Sequence, residues 1–280
     1  MKITVAVDNC ILPKAKKPLR AEHGLSLLIE TAAGKYLFDT GQTDTVVYNL
    51  GLLGVHPRDL TAVILSHGHY DHTGGLAAVL GQAGRQLPVY CHRGVFSPRY
   101  AVDGSAVRYA GLPWAENHLV SLGADFRLVD EPLALTPELV ISGPVPRVTG
   151  YETGDAHLKA AAADGGCDCR QDTVPDDMAI YHKGDKGLTV ISGCAHSGIV
   201  NVIRHGFGVT GADRLHGLIG GTHLGPAGED QQAATLAELA GLDPQLVAAN
   251  HCTGFYMLAR LYGQFGTRFT PAFVGTVIEI

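Results

Sequence analysis

Short apolar runs alternate with polar turns and with longer amphipathic segments along the chain. Residues 3–7 are apolar except for Thr4 and predict a buried strand, while residues 25–30 and 35–38 predict a hairpin that turns through Ala33-Gly34. Residues 44–53 predict a helix that ends near Gly54, and the apolar run 62–65 predicts the next strand. Strands interleaved with helices are typical of an α/β fold.

The second half of the chain repeats this order of strand, polar loop and helix. Largely apolar runs at 188–191, 215–219 and 246–249 predict three strands, and residues 199–204 and 231–239 predict helices between them. Each of the three strands is followed by a polar stretch that carries a histidine: His196, His223 and His251 in turn.

Residues 97–176 lack this regular pattern. A short helix is predicted at 95–100, and residues 144–176 are rich in Gly, Asp, Pro and Thr. We expect one domain spanning residues 1–280, with 97–176 as an inserted loop or lobe within it. Loops of this length in compact domains are often lids or substrate-contacting segments.

Composition narrows the functional classes. Hydrophobic residues make up 46% of the chain and charged residues 17%, which indicates an ordered globular protein. The net charge of −6, with one dense basic run at 14–20 that we interpret as a solvated loop, argues against a nucleic-acid partner. No apolar run is long enough for a membrane span, the amino-terminal one is too short for a signal peptide, and the six cysteines form no dense disulfide framework. We therefore expect a cytoplasmic protein that acts on a small molecule.

Four potential metal ligands fall within six residues after the strand at 62–65. They are His67, His69, Asp71 and His72. Residues two apart in extended backbone point to the same side, so His67 and His69 can converge on one ion. Asp71 and His72 fall where the chain turns into a helix, and they suit a second ion nearby. Imidazole and carboxylate ligands favour zinc, with manganese or iron as alternatives.

Two dispersed histidines complete a plausible ligand set. His196 and His251 each follow a buried strand. Sites in α/β folds gather beyond the carboxyl ends of strands, so both are candidate ligands.

These motifs together resemble the metallo-β-lactamase superfamily. Asp39, in Leu-Phe-Asp-Thr-Gly, is similar to its upstream aspartate. A narrower resemblance is to a subgroup whose named members are archaeal dihydropterin-type synthases, which join a pterin diphosphate to a ribofuranosylaminobenzene phosphate. The resemblance runs over about residues 2–280 and is weakest over 97–175. It rests on Glu22-His-Gly-Leu-Ser, Ser66-His-Gly-His-Tyr-Asp-His-Thr-Gly-Gly, Gly193-Cys-Ala-His-Ser-Gly-Ile-Val-Asn, Gly220-Gly-Thr-His-Leu and His251-Cys-Thr-Gly.

The resemblance implies a four-layer αββα sandwich with a dinuclear metal site at one edge. His67, His69 and His196 would hold the first ion, and Asp71, His72 and His251 the second. Asp39 would support the ligands from behind. A hydroxide between the ions would be the nucleophile. Asp71 would contribute to catalysis by binding the second ion and so helping to hold this hydroxide.

One motif departs from the superfamily pattern. A bridging aspartate usually lies between the last two histidine positions, but here that strand ends Gly220-Gly-Thr-His223, without a carboxylate. His223 is therefore expected at the same sheet edge, as a terminal metal ligand, as a catalytic or substrate-contacting residue, or in a structural role. His23 is a further candidate for substrate contact.

Other polar residues have more ordinary interpretations. Cys194 and Cys252 flank two candidate ligands and are interpreted as small buried hydrophobes, because the ligand set is nearly complete without them. Cys167-Asp-Cys169 is a weak candidate for another metal site. Asp176 and Asp177 are interpreted as a solvated turn.

These features together predict a metal-dependent hydrolase or transferase. It would use two divalent ions to act at a phosphorus or carbonyl centre of an anionic small molecule. The alternative that stays open is a binding protein that uses its metals to hold a ligand. Reduction of oxygen or nitric oxide at di-iron is disfavoured, because the chain leaves no room for the flavin domain that this chemistry usually requires.

Overall fold

The computed structural model describes residues 1–13, 15–161 and 170–280. The chain divides into two compact units. The first is built mainly from Met1–Leu128 and Phe273–Ile280, and the second mainly from Val129–Lys159 and Gln171–Ala272.

Short strands account for much of the described chain. In chain order they are β1 Lys2–Val7, β2 Ser26–Thr31, β3 Gly34–Phe38, β4 Ala62–Ile64, β5 Leu87–Cys91, β6 Arg99–Asp103, β7 Ala106–Tyr109, β8 Ala124–Leu128, β9 Leu133–Ala134, β10 Leu139–Ile141, β11 Leu158–Ala160, β12 Arg170–Gln171, β13 Ala179–Gly184, β14 Gly187–Ser192, β15 Leu215–Gly221, β16 Leu246–Asn250 and β17 Val277–Glu279.

Helices lie between many of these strands, and single 3₁₀ turns occur at Pro57–Asp59, Arg93–Phe96, His251–Thr253 and Gly266–Arg268. The α-helices are α1 Thr45–Leu53, α2 Tyr70–Thr73, α3 Leu76–Ala83, α4 Glu116–Ser121, α5 Ile199–Thr210, α6 Glu229–Leu242 and α7 Phe255–Phe265.

The first unit contains a mixed sheet with the strand order β17-β1-β2-β3-β4-β5-β8. Its first four strands pair antiparallel, and β3, β4, β5 and β8 pair parallel. The carboxyl ends of β3 and β4 therefore lie side by side at one edge of the sheet. Helices α1 and α3 cover one face, with Val46, Leu50 and Val79 fully buried against it. Burial of each such side chain contributes roughly 1.5–3 kcal/mol.

The second unit contains a sheet with the strand order β16-β15-β14-β13-β10-β9. Here β14, β15 and β16 run parallel, with Ser192 opposite Gly220 and Gly221 opposite Asn250. The three strands consequently end at the same edge. Helix α5 packs on this sheet through an apolar face that includes Ile199, Val202 and Ile203.

Most predicted elements are confirmed, including the β2–β3 hairpin and the three parallel strands of the second half. The short helix predicted at 95–100 is wrong. Arg93–Phe96 forms one 3₁₀ turn, and strand β6 then begins at Arg99. Pro98 accounts for the break, because the residue before a proline is forced toward extended backbone, and Ser97 has ψ 133°. Within the described residues, no helix combines the length and the apolar character that crossing a bilayer requires.

Candidate metal centre

Asp39 organises the strand ends of the first unit. It follows β3 in a left-handed conformation (φ 62°) and is fully buried. Its Oδ1 accepts a hydrogen bond from the backbone N–H of Ser66 (2.7 Å), and its Oδ2 accepts one from the Ser66 hydroxyl (2.7 Å). Oδ2 also lies 2.7 Å from Nδ1 of His72. A histidine held through Nδ1 by a carboxylate presents Nε2 as its ligand nitrogen, the usual arrangement behind a metal site.

The histidines of the first motif lie together. The ring centroid of His67 is 4.6 Å from that of His69 and 4.3 Å from that of His72. The hydroxyl of Ser66 lies 2.8 Å from Nδ1 of His67. Burial, followed by the neighbouring His72 and His69, holds the pKa of His67 well below its usual value. His67 is therefore neutral near pH 7, which is the form of imidazole that binds a metal.

Asp71, in the short helix α2, has the spacing of a metal ligand. Its Oδ2 is 3.2 Å from Nε2 of His23 and 3.8 Å from Nε2 of His72. Two ligands of one tetrahedral zinc, each bonded at about 2.0–2.1 Å, lie about 3.3 Å apart. The donor set and spacing of these residues therefore fit a divalent ion.

Backbone packing fixes the position of the His23 loop. The Glu22 carboxylate accepts hydrogen bonds from the N–H groups of Gln42 (2.9 Å) and Thr43 (3.0 Å). Gly24 has φ +142°, and a Cβ there would lie 2.4 Å from the carbonyl oxygen of Asp71. Glycine at this position thus lets the loop approach Asp71 and brings His23 beside its carboxylate.

In the second unit, three polar loops follow β14, β15 and β16. They carry His196, His223 and His251, whose side chains lie at or near the end of each parallel strand. Ala195, His223 and His251 have φ values of 59°, 50° and 50°, a region that non-glycine residues rarely adopt. Such strain persists where the surrounding structure enforces it, and it is concentrated at functional sites.

His223 lies beside His196 and Asp155. The ring centroids of the two histidines are 4.2 Å apart, and a cavity of about 20 Å³ adjoins them. Nε2 of His223 is 3.6 Å from Oδ2 of Asp155, an ion-pair distance. Although burial opposes the charged ring, Asp155 and Cys252 raise the pKa of His223 to about 9, and His223 in turn lowers the pKa of Asp155. Asp155 was not predicted from the sequence, because no pattern distinguishes it in its loop.

Two glycines at the end of β15 could not carry any side chain. A Cβ on Gly221 would lie 2.4 Å from the carbonyl oxygen of Gly193 and 2.7 Å from the sulfur of Cys252. A Cβ on Gly220, at φ +110°, would lie 2.0 Å from the carbonyl oxygen of Ser192. The close approach of these loops leaves no space for a carboxylate side chain at either position.

A buried polar network holds the His196 loop. Arg147 donates to the carbonyl oxygen of His196 (2.7 Å), and Glu152 accepts from the first N–H groups of α5, Val200 and Asn201 (2.9 Å each). Oδ2 of Asp177 accepts from the N–H of Ser197 (2.7 Å). These residues fix the backbone on both sides of His196.

The interpretation of Asp176 and Asp177 as a solvated turn is wrong, since each is only 1% exposed. The reason is the tertiary contact of Asp177 with Ser197, 20 residues away. Cys167 and Cys169 lie outside the described residues, as does Lys14 of the basic run.

The buried carboxyl of Asp177 predicts a pH-dependent stability. Burial raises its pKa to about 6, against about 3.9 in an unfolded chain. The native state therefore binds more protons between these values, and this group's stabilisation is lost as pH rises from about 4 through 6. At 1.36 kcal/mol per pKa unit, the contribution is about 3 kcal/mol. Asp177→Asn retains an oxygen that can accept the hydrogen bond from the Ser197 N–H, and it removes the titrating carboxyl group.

Urea unfolding of both proteins between pH 4 and pH 7 tests this expectation. The free energy of unfolding of the native protein should fall by about 3 kcal/mol relative to Asp177→Asn across that range. Asp103→Asn, at an exposed position at the end of β6, serves as the control. Parallel pH profiles for the native protein and Asp177→Asn would show that Asp177 titrates normally.

Comparison with known proteins agrees with this picture. The model of the metallo-β-lactamase superfamily matches residues 19–161, just over half of the chain. An uncharacterized protein of Methanocaldococcus jannaschii is 32% identical over 279 residues, covering 99% of this chain and 100% of the relative. The same archaeon's 7,8-dihydropterin-6-methyl-4-(β-D-ribofuranosyl)-aminobenzene-5'-phosphate synthase is 26% identical, covering 94% of this chain and 91% of the relative.

A solved structure shows the same fold along the whole chain. Tm1679, described as a metal-dependent hydrolase of the β-lactamase superfamily, has a TM-score of 0.84 and 25% identity, covering 100% of this chain and 99% of its own. The predicted fold class and resemblance are thereby confirmed. With its family match, its full-length relatives and its histidine- and aspartate-bearing strand ends, the chain belongs to the metallo-β-lactamase superfamily.

Proposed function

We propose that the protein is a metal-dependent hydrolase or transferase that acts at a phosphorus centre of an anionic, phosphorylated or pterin-like small molecule. Two divalent ions, zinc by preference, would be bound as the resemblance implies. His67, His69 and His196 would hold one ion, and Asp71, His72 and His251 the other. Superfamily membership supports the metal dependence, and the name of the pterin-related synthase supports the substrate class.

The observation that carries the proposal is the position of the Asp71 carboxylate. Its Oδ2 lies 3.8 Å from Nε2 of His72, a distance that two ligands of one ion can adopt, and the exposed His23 lies beside the same oxygen at 3.2 Å. The buried Asp39 behind His72 fixes the orientation of that ring, as outer-shell carboxylates do at metal sites. An exposed histidine–aspartate pair would need no such support.

The side chains of the first unit have distinct tasks in this proposal. Bound divalent ions lower the pKa of water and polarise the group under attack. Asp39 and Ser66 hold the rings of His72 and His67 at their Nδ1 atoms, so that Nε2 faces the reaction. His23 is 54% exposed while it touches Asp71, and it can therefore contact substrate at the rim of the site.

The same site could bind a ligand without turning it over. The absence of a bridging carboxylate at Gly220 and Gly221 favours this second candidate, because fewer protein ligands would fix the distance between the ions. The two candidates differ in one measurable property, which is turnover of a bound phosphorylated compound.

A substrate screen with metal-reconstituted protein distinguishes the enzyme from the binding protein. Protein stripped with a chelator is reloaded with zinc, manganese or iron(II) in separate samples. Each sample is offered bis(4-nitrophenyl) phosphate, a nucleoside diphosphate, and a pterin diphosphate with and without an aminobenzene ribofuranosyl phosphate. We expect metal-dependent release of nitrophenol, phosphate or diphosphate, and no release by the stripped protein.

Calorimetric titration of the same compounds provides the second measurement. Binding of the diphosphates with no turnover under any metal would reject the enzyme and establish the binding protein. Turnover that is equal in stripped and reloaded samples would reject the role of the metals.

A further inference from the structure

Two cysteines and a histidine of the second unit converge at the ends of its parallel strands. Cys194 follows β14, His223 follows β15 and Cys252 follows β16. The two sulfur atoms and a ring nitrogen of His223 all lie within 4.8 Å of one another. None of these residues belongs to the six metal ligands proposed above.

We propose that Cys194, His223 and Cys252 form a third metal site, which takes a thiophilic divalent ion such as zinc or cadmium. In a tetrahedral zinc site, with Zn–S bonds of about 2.3 Å and Zn–N bonds of about 2.0–2.1 Å, neighbouring ligand atoms are roughly 3.5–3.8 Å apart. Three atoms within 4.8 Å therefore need to move by no more than about 1 Å to reach that geometry. Soft thiolate ligands select zinc and similar ions over calcium or magnesium.

The backbone around the cluster is arranged to keep the three groups together. The N–H of His223 donates to the sulfur of Cys252 (3.3 Å), and the thiol of Cys252 donates to the carbonyl oxygen of Cys194 (3.6 Å). Gly221 has no side chain, and a Cβ there would lie 2.7 Å from the Cys252 sulfur. Glycine at this position thus allows the loop after β16 to reach the loop after β14.

The surroundings of His223 match those of a ligand. The ring is mostly buried, and among the described residues neither ring nitrogen has a partner within 3.5 Å, although Asp155 and Cys252 lie close enough to interact with the ring electrostatically. The Asp155 carboxylate lies 3.6 Å from Nε2. A carboxylate next to an imidazole is the common support for a metal-binding histidine. Of the roles that the sequence left open for His223, these surroundings favour ligation.

The site also accounts for the cysteines as a pair. Alanine or valine at position 252 would lose both hydrogen bonds of the Cys252 sulfur, so this residue is more than a small apolar side chain. Three protein ligands in a Cys₂His set leave one tetrahedral position for solvent or for a ligand.

Cobalt(II) substitution tests the site directly, because thiolate–cobalt bonds give an intense near-ultraviolet charge-transfer band that nitrogen and oxygen ligands do not give. The full chain is stripped of metal and titrated with Co²⁺. We expect the band to appear in the native protein. We expect Cys252→Ser and Cys194→Ser each to lose the band and to bind one equivalent of Co²⁺ fewer. His223→Gln should retain both thiols. It should lower the affinity for the cobalt ion that gives the band by at least ~10-fold, the low end for perturbing a metal site.

Two control variants localise the signal. Cys10→Ser removes an exposed thiol of the first unit and should change neither the band nor the stoichiometry. The double variant Cys167→Ser/Cys169→Ser should also keep the band. Circular dichroism confirms that each variant is folded.

The native protein alone can overturn the proposal. If it is folded and binds cobalt but shows no charge-transfer band, no thiolate is a ligand. Loss of the band in the Cys167/Cys169 double variant would place the thiolates elsewhere. A band that depends on Cys194 but persists in Cys252→Ser would assign one cysteine to another ion and also refute the three-residue site.

Discussion

Asp71→Ala is expected to lower metal-dependent turnover by more than about 100-fold. Changes to groups that only support metal ligands already cost roughly 10–100-fold, and Asp71 is proposed as a ligand itself. Its Oδ2 lies 3.2 Å from His23 and 3.8 Å from His72, so its removal takes away the acceptor that joins them. The measurement is kcat/KM on the best phosphorylated compound of the screen, with metal content determined on the same samples.

Two comparisons sharpen this result. His69→Ala should cause a loss of similar size, because it removes a nitrogen from the other proposed ion. Asp103→Ala, at an exposed carboxylate of the same unit, should leave turnover unchanged. Near-normal turnover by folded Asp71→Ala protein at saturating metal would show that Asp71 is not a ligand.

The sequence predicted the elements that carry local patterns. Largely apolar runs located the parallel strands, and four potential ligands within residues 67–72 pointed to a candidate metal motif. Both signals are local because strand periodicity and ligand spacing extend over only a few residues. The histidines after β14, β15 and β16 could be placed at one sheet edge for the same reason.

Contacts between distant residues could not be predicted in this way. Arg147 reaches His196 across 49 positions, and Glu152 caps α5 across 48 and 49. Their loop shows only an irregular, Gly- and Asp-rich composition, which is equally typical of solvated surface. The convergence of Cys194 and Cys252 depends on the parallel register of three strands and on Gly221, and neither cysteine has a spacing that reveals it.

Helix α7 was not predicted from the sequence. Phe255, Tyr256 and Tyr262 are 77%, 84% and 63% exposed, whereas Met257 and Leu261 are buried. Its buried residues Met257, Leu261 and Phe265 recur every four positions, which is the spacing of an amphipathic helix, so the signal was present in the sequence.

Metal content together with metal removal is the most direct test of a dinuclear centre. Elemental analysis of gently purified protein should give at least two equivalents of divalent metal per chain, mostly zinc. A strong chelator should bring turnover to background, and zinc, manganese or iron(II) should restore it, because the proposed ligand histidines and Asp71 remain in place. Fewer than two equivalents that added metal cannot raise, or turnover that survives complete removal of metal, would contradict the account.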